Sequence, residues 1–309
     1  MIYKKPPQLF YGLLILFLFS WPLSSPCEEA KVVIVKPSVN APVFAQIIKG
    51  FYRFFESHPG AASISEEIFT GDNRIFNNTG AVNPRVIFAI GKDQILTSLK
   101  NTENIPVVGS ELVRKNKTVE ENKRLAIVSL SIEPLLRLQF VKKALPRAQK
   151  IGIIYEPQQN SETIDEYGSA AGALGLSITK FSVTTIKEIN SVEYGNMDVL
   201  LLIPDTFVCQ ALVLKNIILS SFQCKVPVVG ISQAYAQAGT ILATEPDYED
   251  NGAQAGGAAL RIINGEKPAD IPMAFCRKLK HYVNKAMAKR LAIEISKDIE
   301  NDASFVFGE

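Results

Sequence analysis

Between Lys150 and Ser161 the chain reads KIGIIYEPQQNS, a strand, a loop and a helix start in quick succession. Ile151, Ile153 and Ile154, with Gly152 among them, make an apolar run short enough for a buried strand. Pro157 has no N–H to give a sheet ladder and ends it. Asn160 and Ser161 read as N-caps of a helix through ETIDEYGSAAGALGL that ends near Gly175. Such a loop lies at the carboxyl edge of a parallel sheet, where the free N–H groups of a helix start can hold an anionic group. The chemistry implied is binding. No Gly-x-Ser-x-Gly elbow, phosphate-binding loop or zinc-ligand spacing occurs, and the two histidines, His58 and His281, stand far apart without a catalytic partner. The sequence therefore predicts no enzyme, no metal and no cofactor.

The elements that must position this loop repeat along the chain. Lys31–Val35 (KVVIV) reads as the first strand, followed by a helix over about Val43–Glu56. Strands are predicted at Ser63–Phe69, Pro84–Ile90, Ile105–Val108 and Leu125–Leu130, with helices at Lys92–Leu99 and Glu133–Ala144. The pattern then restarts: KIGIIYEP resembles KVVIVKP, MDVLLLIPD corresponds to PRVIFAIGKD, and CKVPVVGIS echoes NIPVVGS. A strand in AGTILATEP, a helix over Tyr248–Asn264, an extended MAFCRKLKHYVN and a helix over Lys285–Ile295 complete the chain, with a frayed polar tail from Ser296. Strands alternating with helices specify α/β architecture: two doubly wound parallel-sheet lobes with a ligand cleft between their facing carboxyl edges.

Lys4 and Lys5 before the apolar run Leu9–Phe19, with Ser24 and Ser25 after it, have the form of a secretory signal peptide over residues 1–27. The run is too short to span a bilayer. Cys27 invites lipid anchoring, but a soluble exported product is favoured, because Ser24-Ser25-Pro26 lacks the pattern of a lipidation site. Without the leader, basic residues fall from 33 to 31 against 31 acidic ones, and a near-neutral chain has no basic face for nucleic acid. The basic run Arg114-Lys115-Asn116-Lys117 reads as a solvated loop. Cys209, Cys224 and Cys276 remain. Cys209 and Cys224 at the two ends of one helix would be about 22 Å apart, too far to bridge.

The segments KKALPRAQKIGIIYEPQQNS, IPDTFV, KVPVVGIS, AGTILATEPDYEDNGAQAGGAALRIINGEKPADIP and YVNKAMAKRL carry a family resemblance. The chain resembles the ABC-transporter substrate-binding proteins of the type I periplasmic-binding fold, in particular the subfamily that includes aromatic amino-acid binders. The resemblance implies two lobes joined by crossovers: residues 28–128 plus 247–276, and 129–246 plus 277–309. It implies an extracytoplasmic, periplasmic solute-binding protein, a monomer that closes on a small molecule and delivers it to an ABC permease. A sensor that docks on a separate signalling partner is the alternative.

On the same resemblance, Asn160 and Ser161 match a carboxylate-binding pair, and Asp205 matches an acid suited to a ligand ammonium. Both roles suit a helix N-terminus and a sheltered cleft. Asp205 is expected to stand open to water in the empty protein, with no buried partner. Lys92 and Asp93 follow the equivalent strand of the first half and should face the cleft from the other lobe. Phe207 and Tyr235 are the nearest candidates for aromatic walls. The chain departs from the family at Ala41-Pro42-Val43-Phe44-Ala45, where relatives often carry His-Pro-x-Leu-Asp. It departs again at Ser110-Glu111-Leu112, and at Ser232, where many have aspartate. The departures leave an amino-acid-like ligand and a more apolar or differently charged one both open.

Overall fold

The computed structural model describes residues 30–39, 41–69, 84–111 and 122–308. The leader with Cys27, the run 114–117 and Leu112 lie outside them.

Two sheets share one strand order. The first is built from β1 (Ala30–Pro37), β2 (Ala62–Phe69), β3 (Val86–Ile90), β4 (Val107–Glu111) and β5 (Leu125–Ile132), arranged β2-β1-β3-β4-β5. The second uses β6 (Lys150–Tyr155), β7 (Ser177–Ser182), β8 (Val199–Leu201), β9 (Val228–Gly230) and β10 (Leu242–Pro246), arranged β7-β6-β8-β9-β10. All these pairings are parallel. KVVIV and KIGII are thus β1 and β6, and the two PVV segments are β4 and β9, equivalent strands in equivalent places. The doubly wound α/β class expected from the sequence is what the chain adopts.

The apolar runs follow from burial on both faces. Val32 and Ile34 pack on one side of the first sheet, with Val33 and Val35 on the other. Ile151 and Ile153 likewise face away from Ile154. Helix α1 (Pro42–Glu56) covers one face of the first sheet, and α2 (Lys92–Asn101) packs against the other. On the second sheet lie α3 (Pro134–Ala144), α4 (Pro157–Ala173), the short α5 (Ile186–Asn190), α6 (Ala211–Gln223) and α7 (Gln233–Ala238).

The chain crosses between sheets at Glu133, again at Asp247, and again at Arg277-Lys278. The second crossing leads into α8 (Tyr248–Ile263), which lies on α1 in backbone contact. A Cβ on Gly50 would stand 1.8 Å from the Glu249 carbonyl oxygen, and one on Gly252 would stand 1.9 Å from that of Ile47. Only glycine allows this approach. The last crossing joins β11 (Ala274–Cys276), parallel to β5, to β12 (Leu279–Asn284), antiparallel to β10. Asp250 of α8 holds this crossing: its carboxylate takes Nε and Nη2 of Arg277 at 2.8 and 3.0 Å, and Nζ of Lys278 at 3.0 Å.

Two readings of the C-terminus are corrected. The helix from Lys285, α9, stops at Leu291, because Ala292 turns left-handed. The tail is folded rather than frayed: α10 (Lys297–Asn301) buries Ile299, and β13 (Phe305–Phe307) pairs in parallel with β12. Among the described residues no helix is long and apolar enough to cross a membrane, and Cys209, Cys224 and Cys276 are all free. Cys209 and Cys224 do flank one helix, α6.

Candidate functional site

A cavity of about 680 Å3 lies where the crossings bring the two sheets together, a volume suited to a small organic ligand. The first-sheet side supplies Val43 at the start of α1, Leu130 and Ser131 near the end of β5, Tyr248 and Phe275. Val43 gives the cavity an apolar wall on this side. The second-sheet side supplies Ile231 and Ser232, just past β9, and Thr244 from within β10. It also supplies Thr163, Glu166, Tyr167 and Ala170 from successive turns of one face of α4. Burial, followed by the nearby Glu245 and Cys276, pushes the Tyr248 phenol up to about 12, so it is neutral at physiological pH.

Arg137 also lines this cavity and is 98% buried (2% exposed). It sits on the buried stripe of α3, with Leu138, Val141 and Ala144. Pro134 at the first turn fixes the start of that helix, so Arg137 comes one turn after the crossing. Its Nε donates to Thr244 Oγ1 at 3.3 Å and its Nη2 to the Gly230 carbonyl at 3.1 Å. Both acceptors are neutral. Among the described residues no carboxylate lies within ion-pair distance of it. The sequence reading passed over Arg137. The available signal was a lone arginine within the apolar spacing of PLLRLQFVKKAL.

The loop that dominates the sequence is organised differently from expectation. Helix α4 starts at Pro157, and Asn160 and Ser161 lie inside its first turns rather than capping it. Glu156 is the cap, its carboxylate accepting from the N–H groups of Gln158 and Gln159 at 3.2 and 3.1 Å. Proline suits the first helical position, so the same residue that ends the strand begins the helix. Ser161 is exposed and its hydroxyl donates back to the Pro157 carbonyl.

Asp205 is buried, not open to water. One oxygen accepts from the Glu156 N–H at 2.8 Å and Asn160 Nδ2 at 2.7 Å, and the other from the N–H groups of Phe207 and Val208 at 3.0 and 2.9 Å. The structure thus brings Asn160 and Asp205 together, but against each other.

Ser232 lines the cavity as the cap residue of α7. Phe207 and Tyr235 are half-buried and pack into the apolar cluster behind β8 and β9. Burial, with Cys209 beside it, raises the pKa of the Tyr235 phenol. Lys92 and Asp93 begin α2 at the carboxyl edge of the first sheet and are exposed.

Residues 72–306 match the family model of the ABC transporter substrate binding proteins. The chain belongs to this family. A curated relative, the tyrosine-binding protein of Clostridioides difficile (strain R20291), is 24% identical over 222 residues, covering 68% of this chain and 63% of the relative. This chain therefore matches less than two thirds of that protein's length.

Solved structures of similar fold include the ligand-free, open structure of a substrate binding protein with adhesive properties from Clostridium difficile. It has a TM-score of 0.72 and 23% identity, covering 91% of this chain and 100% of that one. Another is the ABC domain from Streptococcus pneumonia in complex with L-Trp, with a TM-score of 0.57 and 21% identity, covering 90% and 100%. At these identities they establish the fold, and with the family model they bear out the resemblance that the sequence carries.

Proposed function

We propose that this protein is the extracytoplasmic solute-binding component of an ABC importer, which captures a small molecule between two lobes and presents it to a permease. The observation that carries the reading is the cavity of about 680 Å3, walled by both sheets and placed beside the chain crossings. A two-sided wall on a few crossings lets rotation of one lobe on the other enclose a ligand. Sheet membership supports two lobes that exchange again at 247 and at 277, since β11 joins the first sheet and β12 the second, but it favours a first boundary after Ile132 rather than after residue 128, because β5 runs to Ile132 within the first sheet. The protein binds without transforming its ligand. The leader-like N-terminus and the family support export. Of the residues singled out in the sequence, Ser232 is a ligand contact, while Asn160 and Asp205 frame the lobe that carries it.

The test is mass spectrometry of whatever co-purifies with the mature protein, followed by scattering. A ligand that raises the melting temperature should also reduce the radius of gyration. Binding to the closed state alone stabilises it by about 2.7 kcal/mol at a hundredfold excess over Kd. A verified ligand that left the radius of gyration unchanged would contradict closure.

A further inference from the structure

Resting on the solute-binding reading above, we propose that Arg137 is the anion anchor of the cavity and that the ligand is a small carboxylate with an apolar, ring-sized body.

A guanidinium that is 2% exposed is costly unless its charge is met. Among the described residues Arg137 finds only the Thr244 hydroxyl and the Gly230 carbonyl, which orient it without neutralising it. Those two bonds fix the guanidinium against β9 and β10. Its Nη1 group makes no hydrogen bond among the described residues, and the side chain lines the cavity. An arginine fork held on one side and free on the other is preorganised for a carboxylate. The contrast with Arg277, bidentate on Asp250, shows the same chain pairing an arginine fully where no ligand is involved.

The other places where this sheet edge could hold an anion are taken. The start of α4 is capped by the carboxylate of Glu156, which would repel a second one. Asp205 has both oxygens engaged by four donors of its own chain, so it offers nothing to a ligand ammonium. The rest of the wall suits an apolar body: Tyr167, Tyr248 and Phe275 are aromatic, and Leu130 and Ile231 are aliphatic. Glu133 and Glu166 also line the cavity, but both are exposed, so they could meet an ammonium without being needed to hold the carboxylate. Carboxylates with and without an ammonium share the chemistry that Arg137 recognises.

Calorimetry on the mature full chain with three probes separates these cases: 3-(4-hydroxyphenyl)propionate has the carboxylate alone, L-tyrosine has both charges, and tyramine has the ammonium alone. At least one of the two carboxylates should bind and tyramine should not. Which of the two binds more tightly tells whether an ammonium is also read. Arg137→Gln should weaken carboxylate binding about 30-fold or more, and Arg137→Lys, which keeps the charge, should recover part of that loss. Melting temperatures of the ligand-free variants show whether each is folded, and the probe series on the unaltered protein decides the matter if Arg137→Gln is not. The proposal is overturned if neither carboxylate binds, if tyramine binds as well as they do, or if a folded Arg137→Gln keeps full affinity. The solute-binding reading would survive any of these results if an uncharged or cationic solute contracted the protein in scattering.

Discussion

Two regions of the second sheet's carboxyl edge handle buried polarity in opposite ways. At the corner where Tyr155-Glu156 meets Pro204-Asp205, both carboxylates are answered from within the chain. Glu156 caps α4, and Asp205 takes four donors from two segments, the start of α4 and Phe207-Val208. At the wall formed by β9, β10 and α3, Arg137 is as deeply buried as Asp205 yet among the described residues meets only neutral acceptors. A closed network stabilises the fold, because each partner would be orphaned without the other. An incomplete one in a cavity contributes little to the fold and is kept for something that binds. Polar burial alone does not identify a site. The unanswered remainder does.

The largest effect expected from this contrast is at the closed corner. Asp205→Ala removes the acceptor of the buried Val208 N–H and of the Glu156 and Phe207 N–H groups, and one acceptor of the Asn160 amide. It should lower stability by about 3 to 5 kcal/mol, read by denaturant unfolding. A loss under about 1 kcal/mol, with affinity abolished, would instead restore Asp205 as a ligand contact.

Next comes the strut at the last crossing, which shows what a paired arginine is worth here. Burial pushes the Asp250 carboxyl up, but Arg277 and Lys278 outweigh it and hold it below its ordinary value. A depressed carboxyl contributes its stability above the unfolded value of about 3.9, and that contribution is lost as pH falls through the lower folded value. Asp250→Asn should therefore cost about 1 to 2 kcal/mol at pH 7, discounted because the Arg277 and Lys278 side chains are 60% and 64% exposed to screening solvent. The cost should shrink as pH falls below the unfolded value of about 3.9 and vanish once the folded carboxyl is protonated too, as followed by melting temperature across pH. A deficit constant across pH would mean that the strut is not electrostatic.

Glu156→Ala should remove about 1 kcal/mol through loss of the α4 cap. An affinity loss without a stability loss in that variant would show the helix start to be a ligand site after all. The smallest effect is expected where function concentrates. Arg137→Met, which replaces a buried unpaired charge with an apolar side chain of comparable length, should change ligand-free stability by less than about 1 kcal/mol, in either direction. A loss of several kcal/mol would place Arg137 among the structural residues.

The repeat was legible because strands buried on both faces of a parallel sheet must be apolar throughout. KVVIV and KIGII, and the two PVV segments, therefore announce equivalent strands. The folded tail was less legible because polar residues surround Ile299 and Phe305–Phe307, although those apolar positions were there to be read. The start of α4 turned on Pro157, which serves as strand stop and helix start together. The site was least legible. Whether Asp205 is open or saturated depends on segments from Glu156 to Val208 converging, and no local spacing reports that. Arg137 reads as a solvated residue of an amphipathic helix until its neighbours on the buried stripe are recognised as core.

The most direct test is a crystal structure of the protein grown with 3-(4-hydroxyphenyl)propionate. The account predicts density between the two sheets, with the carboxylate about 3 Å from the Arg137 guanidinium and the ring against Tyr167, Tyr248 or Phe275. Density with the carboxylate at the start of α4, displacing Glu156, or a cavity left empty under saturating probe, would contradict it.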